Sequence, residues 1–233
     1  MRRPITPTGP NRPQATIPYP ITGNLFTELP VPSGRSNQYP VLRLIVDGRT
    51  RRSFGTGWIA GVAQTDRSEI RAYVITNHHV ARSQGRSPKS LSAEWPSDPP
   101  TPRLTWPFTI LAEDPTDDIA LLELTTTPYV LPTATLGPTW PQGVTVQSMG
   151  FPEGSQTVYT RTSRSLLSGG ITRLPKPGES GGPVFSQGQV VGMMQLGVFN
   201  DGAEHGRAIP VSTIRAFLTD CKIQFPYLQG VLP

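Results

Sequence analysis

Along most of the chain, apolar residues alternate with polar ones or gather in short runs, and the three-and-four spacing of an amphipathic helix is rare. Val41-Leu42-Arg43-Leu44-Ile45-Val46 reads as a strand closed by the turn pair Asp47-Gly48. Further strands are predicted at Gly57-Trp58-Ile59-Ala60, Arg71-Ala72-Tyr73-Val74-Ile75-Thr76, Phe108-Thr109-Ile110-Leu111 and Ile119-Ala120-Leu121-Leu122-Glu123-Leu124. A second block begins near residue 134, with strands expected over 145–150, 157–161, 184–185, 189–194 and 207–209. Helical spacing emerges only near the end, where Ser212 is placed to cap a turn carrying Ile214, Phe217 and Leu218 on one face. A parallel sheet needs crossover helices, and none is legible. The pattern therefore predicts an all-β fold of antiparallel barrels or sandwiches with a short C-terminal helix.

Composition changes this picture mainly at the edges. Residues 1–40 hold nine prolines, so an extended arm is expected there, with Ile17, Tyr19, Leu25 and Phe26 available to pin it to the surface. The stretch 82–103 is rich in Ser and Pro and reads as a loop. The net charge of +5 and the pI near 9.7 invite a nucleic-acid reading. Yet the one dense basic cluster, Arg49, Arg51 and Arg52, follows a turn and reads as a solvated hairpin tip, so no nucleic-acid partner is expected. Cys221 is the only cysteine, which rules out an intrachain disulfide. The start, Met1-Arg2-Arg3-Pro4, lacks the apolar core of a signal peptide, and no apolar run reaches membrane-spanning length. A cytoplasmic protein without a membrane partner is the expectation, with an exported form left open. No metal-ligand cluster, phosphate loop or cofactor motif is present, so neither a metal nor a cofactor is expected.

Candidate chemistry centres on Gly178-Glu179-Ser180-Gly181-Gly182, which satisfies G-x-S-x-G. That pattern marks the nucleophile elbow of lipases, but an elbow needs a helix directly after the serine, and Pro183-Val184-Phe185 follows here. The elbow's partners also follow in the order Ser, acid, His, whereas His205 is the sole histidine after Ser180. The order His, Asp, Ser fits better. His78 and His79 end a strand, and Asp117 and Asp118 lead into another. A serine nucleophile needs an imidazole base, and the base needs a carboxylate to fix its tautomer and stabilise its charged form. Asp118 directly precedes the apolar run 119–122, so burial is expected for it and solvation for Asp117.

Val74-Ile75-Thr76-Asn77-His78-His79-Val80 resembles the VLTNNHV histidine motif of the HtrA/Deg branch of trypsin-like serine peptidases. Asp114-Pro115-Thr116-Asp117-Asp118-Ile119-Ala120-Leu121-Leu122 is similar to that branch's DPxxDIAVL motif, and Gly178 to Pro183 to its GNSGGP loop. Gly55 to Ile59 and Gly206 to Pro210 are supporting matches to GSGF and GFAIP. The resemblance covers roughly 41–220. It implies a chymotrypsin-like fold of two antiparallel six-stranded β-barrels, about 41–128 and 134–211, with the active site in the cleft between them. A C-terminal helix over 212–221 and a tail over 222–233 complete the expected layout, which leaves no room for a PDZ domain.

The resemblance selects His79 as base, Asp118 as its acid and Ser180 as nucleophile, and leaves His78 at a variable position. It implies an oxyanion hole from the backbone N–H groups of Gly178 and Ser180. Leu174 falls where trypsin-type enzymes carry the acid that reads Arg or Lys, Met194 where glutamate-selective relatives carry His, and Met194-Gln195-Leu196-Gly197 on the strand that pairs with substrate. A serine endopeptidase acting on protein or peptide substrates, with small or aliphatic residues in an apolar primary pocket, is the implied function. A catalytically idle fold used for binding, and a gated effector peptidase that cuts one partner, are the rivals. Glu179 departs from the family's Asp or Asn. It is expected either to pair with Arg173 or Lys176 and hold the oxyanion loop, or to stand solvated beside a positively charged loop.

Overall fold

The computed structural model describes residues 39–48, 51–64, 70–82, 88–96, 104–126, 131–200 and 203–221. The proline-rich arm up to residue 38, the tail over 222–233 and Arg49 of the basic cluster lie outside these residues. The described residues form twelve strands and two α-helices.

The first six strands close into a barrel. They are β1 (Val41–Asp47), β2 (Arg52–Gln64), β3 (Ile70–Thr76), β4 (Ser90–Glu94), β5 (Thr105–Asp114) and β6 (Ile119–Thr126). Their order is β1-β2-β3-β6-β5-β4, with β4 pairing back onto β1 and every pair antiparallel. β4 falls in the stretch read as loop, because its five residues turn only Ala93 fully inward and give a weak apolar signal. Strand periodicity sorts the side chains into two layers. Ala72, Val74, Ala120, Leu122 and Leu124 fill the barrel with Leu42, Leu44, Ile59, Trp106 and Phe108. The alternate residues Tyr73, Ile75, Ile119 and Leu121 face a second core outside it, which is why these strands read as continuous apolar runs rather than alternating ones.

The second half comprises β7 (Thr145–Gly150), β8 (Tyr159–Arg164), β9 (Gly170–Ile171), β10 (Pro183–Ser186), β11 (Gln189–Asn200) and β12 (Ala203–Pro210), in the order β8-β7-β10-β11-β12-β9. Here the second six-stranded barrel of the expectation is a curled half-barrel. The two-residue β9 is too short to sustain a ladder with β8, and a single bridge, Ser165 to Ile171, joins the sheet's ends. β12 runs directly into helix α2 (Val211–Asp220), whose N-cap position is Pro210, so Ser212 is not the cap. Val211, Ile214, Phe217 and Leu218 are buried along one face of this helix. No helix among the described residues is long and apolar enough to cross a membrane.

Candidate active site

β3 and β6 are neighbours, and their ladder ends with Thr76 opposite Ala120. Whatever follows β3 must therefore meet whatever precedes β6 at one end of the barrel. After Thr76 the chain makes one helical turn, α1 (His78–Ala81), drawn onto the barrel by buried Val80 and Ala81. Before β6, buried Asp114 accepts the main-chain N–H groups of Thr116 and Asp117 at 2.9 and 3.2 Å, shaping a tight turn. Asp118 ends that turn in the left-handed region at φ 57°, a conformation that Asp tolerates better than most residues.

The two segments are stitched together around Asp118. Its carbonyl accepts from His78 N–H and from the Asn77 side-chain amide, each at 3.1 Å. Its carboxylate accepts from His79 main-chain N–H at 3.0 Å, and the His79 ring Nδ1 lies 3.0 and 2.8 Å from the two oxygens. A carboxylate only accepts, so Nδ1 carries the ring proton and Nε2 presents its lone pair outward. A further donor is the Gln195 side-chain amide, 3.0 Å from Oδ2. Burial raises the Asp118 pKa, but the hydrogen bonds and charge of His79, with the Gln195 amide, outweigh it and hold the carboxyl below its usual value. Asp117 is exposed, as is His205 on β12. His78 stands 3.6 Å from Glu113, a carboxyl that the Arg82 guanidinium holds below its ordinary pKa against the opposing effect of burial.

The serine sits on two successive turns. Glu179 N–H donates to Lys176 C=O at 3.0 Å across Pro177-Gly178, with Gly178 at φ 91°, the arrangement of a type II turn. Gly182 N–H then donates to Glu179 C=O at 3.0 Å across Ser180-Gly181, with Gly181 at φ 84°. A side chain at Gly178 would collide with the Phe151 carbonyl, and one at Gly181 with Thr56 and Thr76. Both glycines are thus required twice, for backbone sign and for space. Directly after the second turn comes strand β10, paired with β7 and β11, where a lipase elbow would continue as a helix.

Thr56 on β2 fastens this loop to the first barrel. Its N–H donates to Ser180 C=O at 2.9 Å. Its hydroxyl donates to Gly178 C=O at 2.7 Å and accepts Phe151 N–H at 3.1 Å, while its own carbonyl accepts the Thr76 hydroxyl at 2.6 Å. In the sequence, Thr56 stands only within the strand match from Gly55 to Ile59. Its signal, a hydroxyl between two glycines in an apolar strand, is visible but not distinctive. Among the described residues, the N–H groups of Gly178 and Ser180 donate to no protein acceptor.

The Ser180 hydroxyl donates to the Gln195 carbonyl at 3.2 Å; among the described residues it makes no hydrogen bond to His79. Gln195 therefore touches both ends of the constellation, the serine through its backbone and Asp118 through its side chain. Met194 uses its backbone to hold the serine turn, donating to Gly182 C=O at 2.8 Å and accepting Gly181 N–H at 2.9 Å. Its side chain is fully buried with Val146, Ile171, Val184, Val191 and Ala208 in the half-barrel core. β10 begins at Pro183, opposite Met193, so among the described residues no strand pairs with β11 from Gln195 onward along that edge. Leu196 falls in the irregular register between Met194 and Gly197, and Gly197 pairs with Gly206 of β12. Leu174 is half-buried on the segment leading into the serine loop. Glu179 is 2% exposed, so the solvated alternative is overturned. A cleft of about 550 Å³ lined by Tyr39, Thr133, Gln147, Met149 and Phe185 shares none of the candidate catalytic residues.

The fold is that of HtrA-type proteases. A serine endoprotease from Yersinia pestis superposes with a TM-score of 0.61 at 17% identity, over 83% of this chain and 64% of its own. AlgW, an HtrA-type protease solved with a tripeptide, superposes with a TM-score of 0.59 at 18% identity, over 78% of this chain and 60% of its own. The chain thus spans less than two thirds of the length of either. No curated protein matches the sequence. A family model described as a trypsin-like peptidase domain matches residues 55–193, a stretch that runs from β2 through β11 and takes in His79, Asp118 and Ser180. With more than half of the chain under that match, the chain belongs to the trypsin-like peptidase family.

Proposed function

We propose that this chain is a serine endopeptidase in which Ser180 attacks a peptide carbonyl, His79 is the general base and Asp118 orients and stabilises the imidazole. The carrying observation is the hydrogen bond from His79 Nδ1 to a carboxylate kept ionised, which leaves Nε2 basic and facing out. His79 takes the hydroxyl proton as Ser180 Oγ bonds to the carbonyl carbon, then delivers it to the leaving amine as the acyl-enzyme forms. Water attacks that ester by the same route in reverse. The oxygen of the tetrahedral intermediate takes the two N–H groups of Gly178 and Ser180, each such donor contributing about 2.7–4 kcal/mol in the transition state.

The substrate backbone is assigned to the unpaired edge of β11, as an added strand. A substrate N–H donating to Gln195 C=O displaces the Ser180 hydroxyl from that carbonyl and leaves it to turn to His79. Catalytic hydrogen bonds commonly tighten only when substrate is bound. We assign the peptidase unit to 41–220, with the two β-halves at about 41–128 and 134–211. The primary pocket takes small or aliphatic residues, since Leu174 offers no charge to Arg or Lys; efficient cleavage after Arg or Lys in a peptide library would refute this preference.

A fluorophosphonate probe tests the activity itself. Wild type should label and Ser180→Ala should not, with peptide turnover falling on the order of 10⁶-fold. Wild-type protein that takes no Ser180-dependent label overturns the peptidase reading in favour of an idle fold.

A further inference from the structure

Glu179 lies between the two residues whose amides flank the candidate oxyanion position, yet the mechanism gives its side chain no task. Its carboxylate is buried. One oxygen forms an ion pair with Arg161 Nε on β8 at 2.8 Å, a charge contact without hydrogen-bond alignment. The other lies 2.8 Å from Arg173 Nη1 and accepts the main-chain N–H of Lys176 at 2.8 Å. Arg173 is itself fixed, donating to Leu174 C=O at 3.0 Å and to the Ser148 hydroxyl on β7 at 2.6 Å. The Lys176 ammonium points elsewhere, 3.4 Å from exposed Glu153. An isolated carboxylate does not stay out of water. Here two guanidiniums and an amide, all from the second half of the chain, match it.

The clamp has a geometric consequence. The bond from Lys176 N–H to the Glu179 carboxylate closes a ring over the Pro177-Gly178 turn. On the far side, the Pro177 carbonyl accepts Glu153 N–H at 2.5 Å. In a trans peptide the carbonyl and the following N–H point in opposite directions. Fixing the Pro177 oxygen inward therefore fixes the Gly178 N–H outward, and half a rotation of this one peptide would replace the donor with an acceptor.

We propose that Glu179 is a positioning residue: its carboxylate, held by Arg161, Arg173 and Lys176 N–H, locks the Lys176–Glu179 turn so that the Gly178 amide faces the oxyanion. The inference rests on the peptidase reading above.

Glu179→Gln keeps the size of the side chain and removes the charge. On any peptide that wild type cleaves, kcat should fall about 10²-fold with KM changed by less than about threefold, the pattern of a lost transition-state contact. Affinity for a peptide boronic acid that bonds to Ser180 should fall by a similar factor, and amide exchange across 176–182 should quicken in a Ser180→Ala background. Arg173→Met should act in the same direction and add little to Glu179→Gln, because both break one network. Wild-type kcat and boronate affinity in Glu179→Gln overturn the proposal, as does a loss fully explained by a reduced folded fraction in thermal unfolding. If Glu179→Gln does not fold, Arg161→Met and Arg173→Met carry the same comparison. If wild type takes no fluorophosphonate label, the peptidase reading fails on its own, and unchanged exchange in the Glu179→Gln, Ser180→Ala protein then overturns the clamp separately.

Discussion

At the scale of single residues, Asp118 carries the most work for its size. It accepts two bonds through its main chain and three through its carboxylate, from residues in both halves of the chain. Asp118→Asn can donate where it should accept, so the His79 tautomer is no longer enforced. Turnover should fall about 10³–10⁴-fold with KM little changed, as steady-state kinetics would show. The same carboxyl makes stability depend on pH. Its folded pKa lies below the ordinary 3.8, so its contribution is fully present above the unfolded value and is lost as pH falls through the depressed one. Urea unfolding of wild type and Asp118→Asn should show a gap at pH 6 that narrows by pH 3; a constant gap would contradict the assignment. Asp118 stood out in the sequence because it directly precedes an apolar run, whereas His79 was separated from His78 only by the family resemblance. The Gln195 contact with Asp118 was not, since it joins residues 77 positions apart and depends on where a side chain turns.

At the scale of elements, the site is a meeting of strand ends. The β3–β6 register sets His79 beside Asp118, and Thr56 on β2 fastens the serine loop to the same barrel. Thr56→Val keeps the shape and removes the hydroxyl, stranding the half-buried Gly178 carbonyl and the buried Phe151 N–H. That should cost about 1–3 kcal/mol for each group left unpaired. Thr56→Ser should restore most of it. Chemical denaturation measures the stability, and a parallel fall in kcat for Thr56→Val alone would tie the hydroxyl to the loop's geometry. Strands with strong alternation or long apolar runs, such as β1, β3 and β6, were legible because burial on one or both faces imprints the sequence. β4 was not, as a five-residue strand with only Ala93 fully buried carries little of that imprint. Nor could local pattern show that β9 is too short to close the second barrel. The helix start was displaced from Ser212 to Pro210 because β12 passes straight into α2, and a proline at that junction pre-sets the backbone that a polar cap would otherwise secure.

At the scale of the whole molecule, the two halves are held by a shared core as well as by the hydrogen bonds of the site. Trp58, Tyr73, Ile75, Ile119 and Leu121 of the barrel pack with Val190, Met193 and Ile209 of the half-barrel, and α2 covers the seam with Ile214, Phe217 and Leu218. Arg215 on the same helix donates to the carbonyls of Leu136 and Gly137 at 3.2 and 2.9 Å, tying α2 to the segment that joins the halves. A second strut runs from Arg43 on β1, which pairs with Glu94 at 2.7 Å, donates to Gly154 C=O at 2.7 Å and lies 5.1 Å from the Phe54 ring centroid. On the proposed reading, His79 and Ser180 stay in register only while the seam is intact. Phe217→Ala opens a cavity in that seam far along the chain from His79 and Ser180. It should lower stability by about 3–5 kcal/mol. Because the cluster draws on both halves, they should still unfold in one transition, with Trp58 and Trp140 reporting the same urea midpoint. Two separated midpoints in the variant, with the Trp140 signal lost first, would mean that the half-barrel depends on α2 while the closed barrel stands alone.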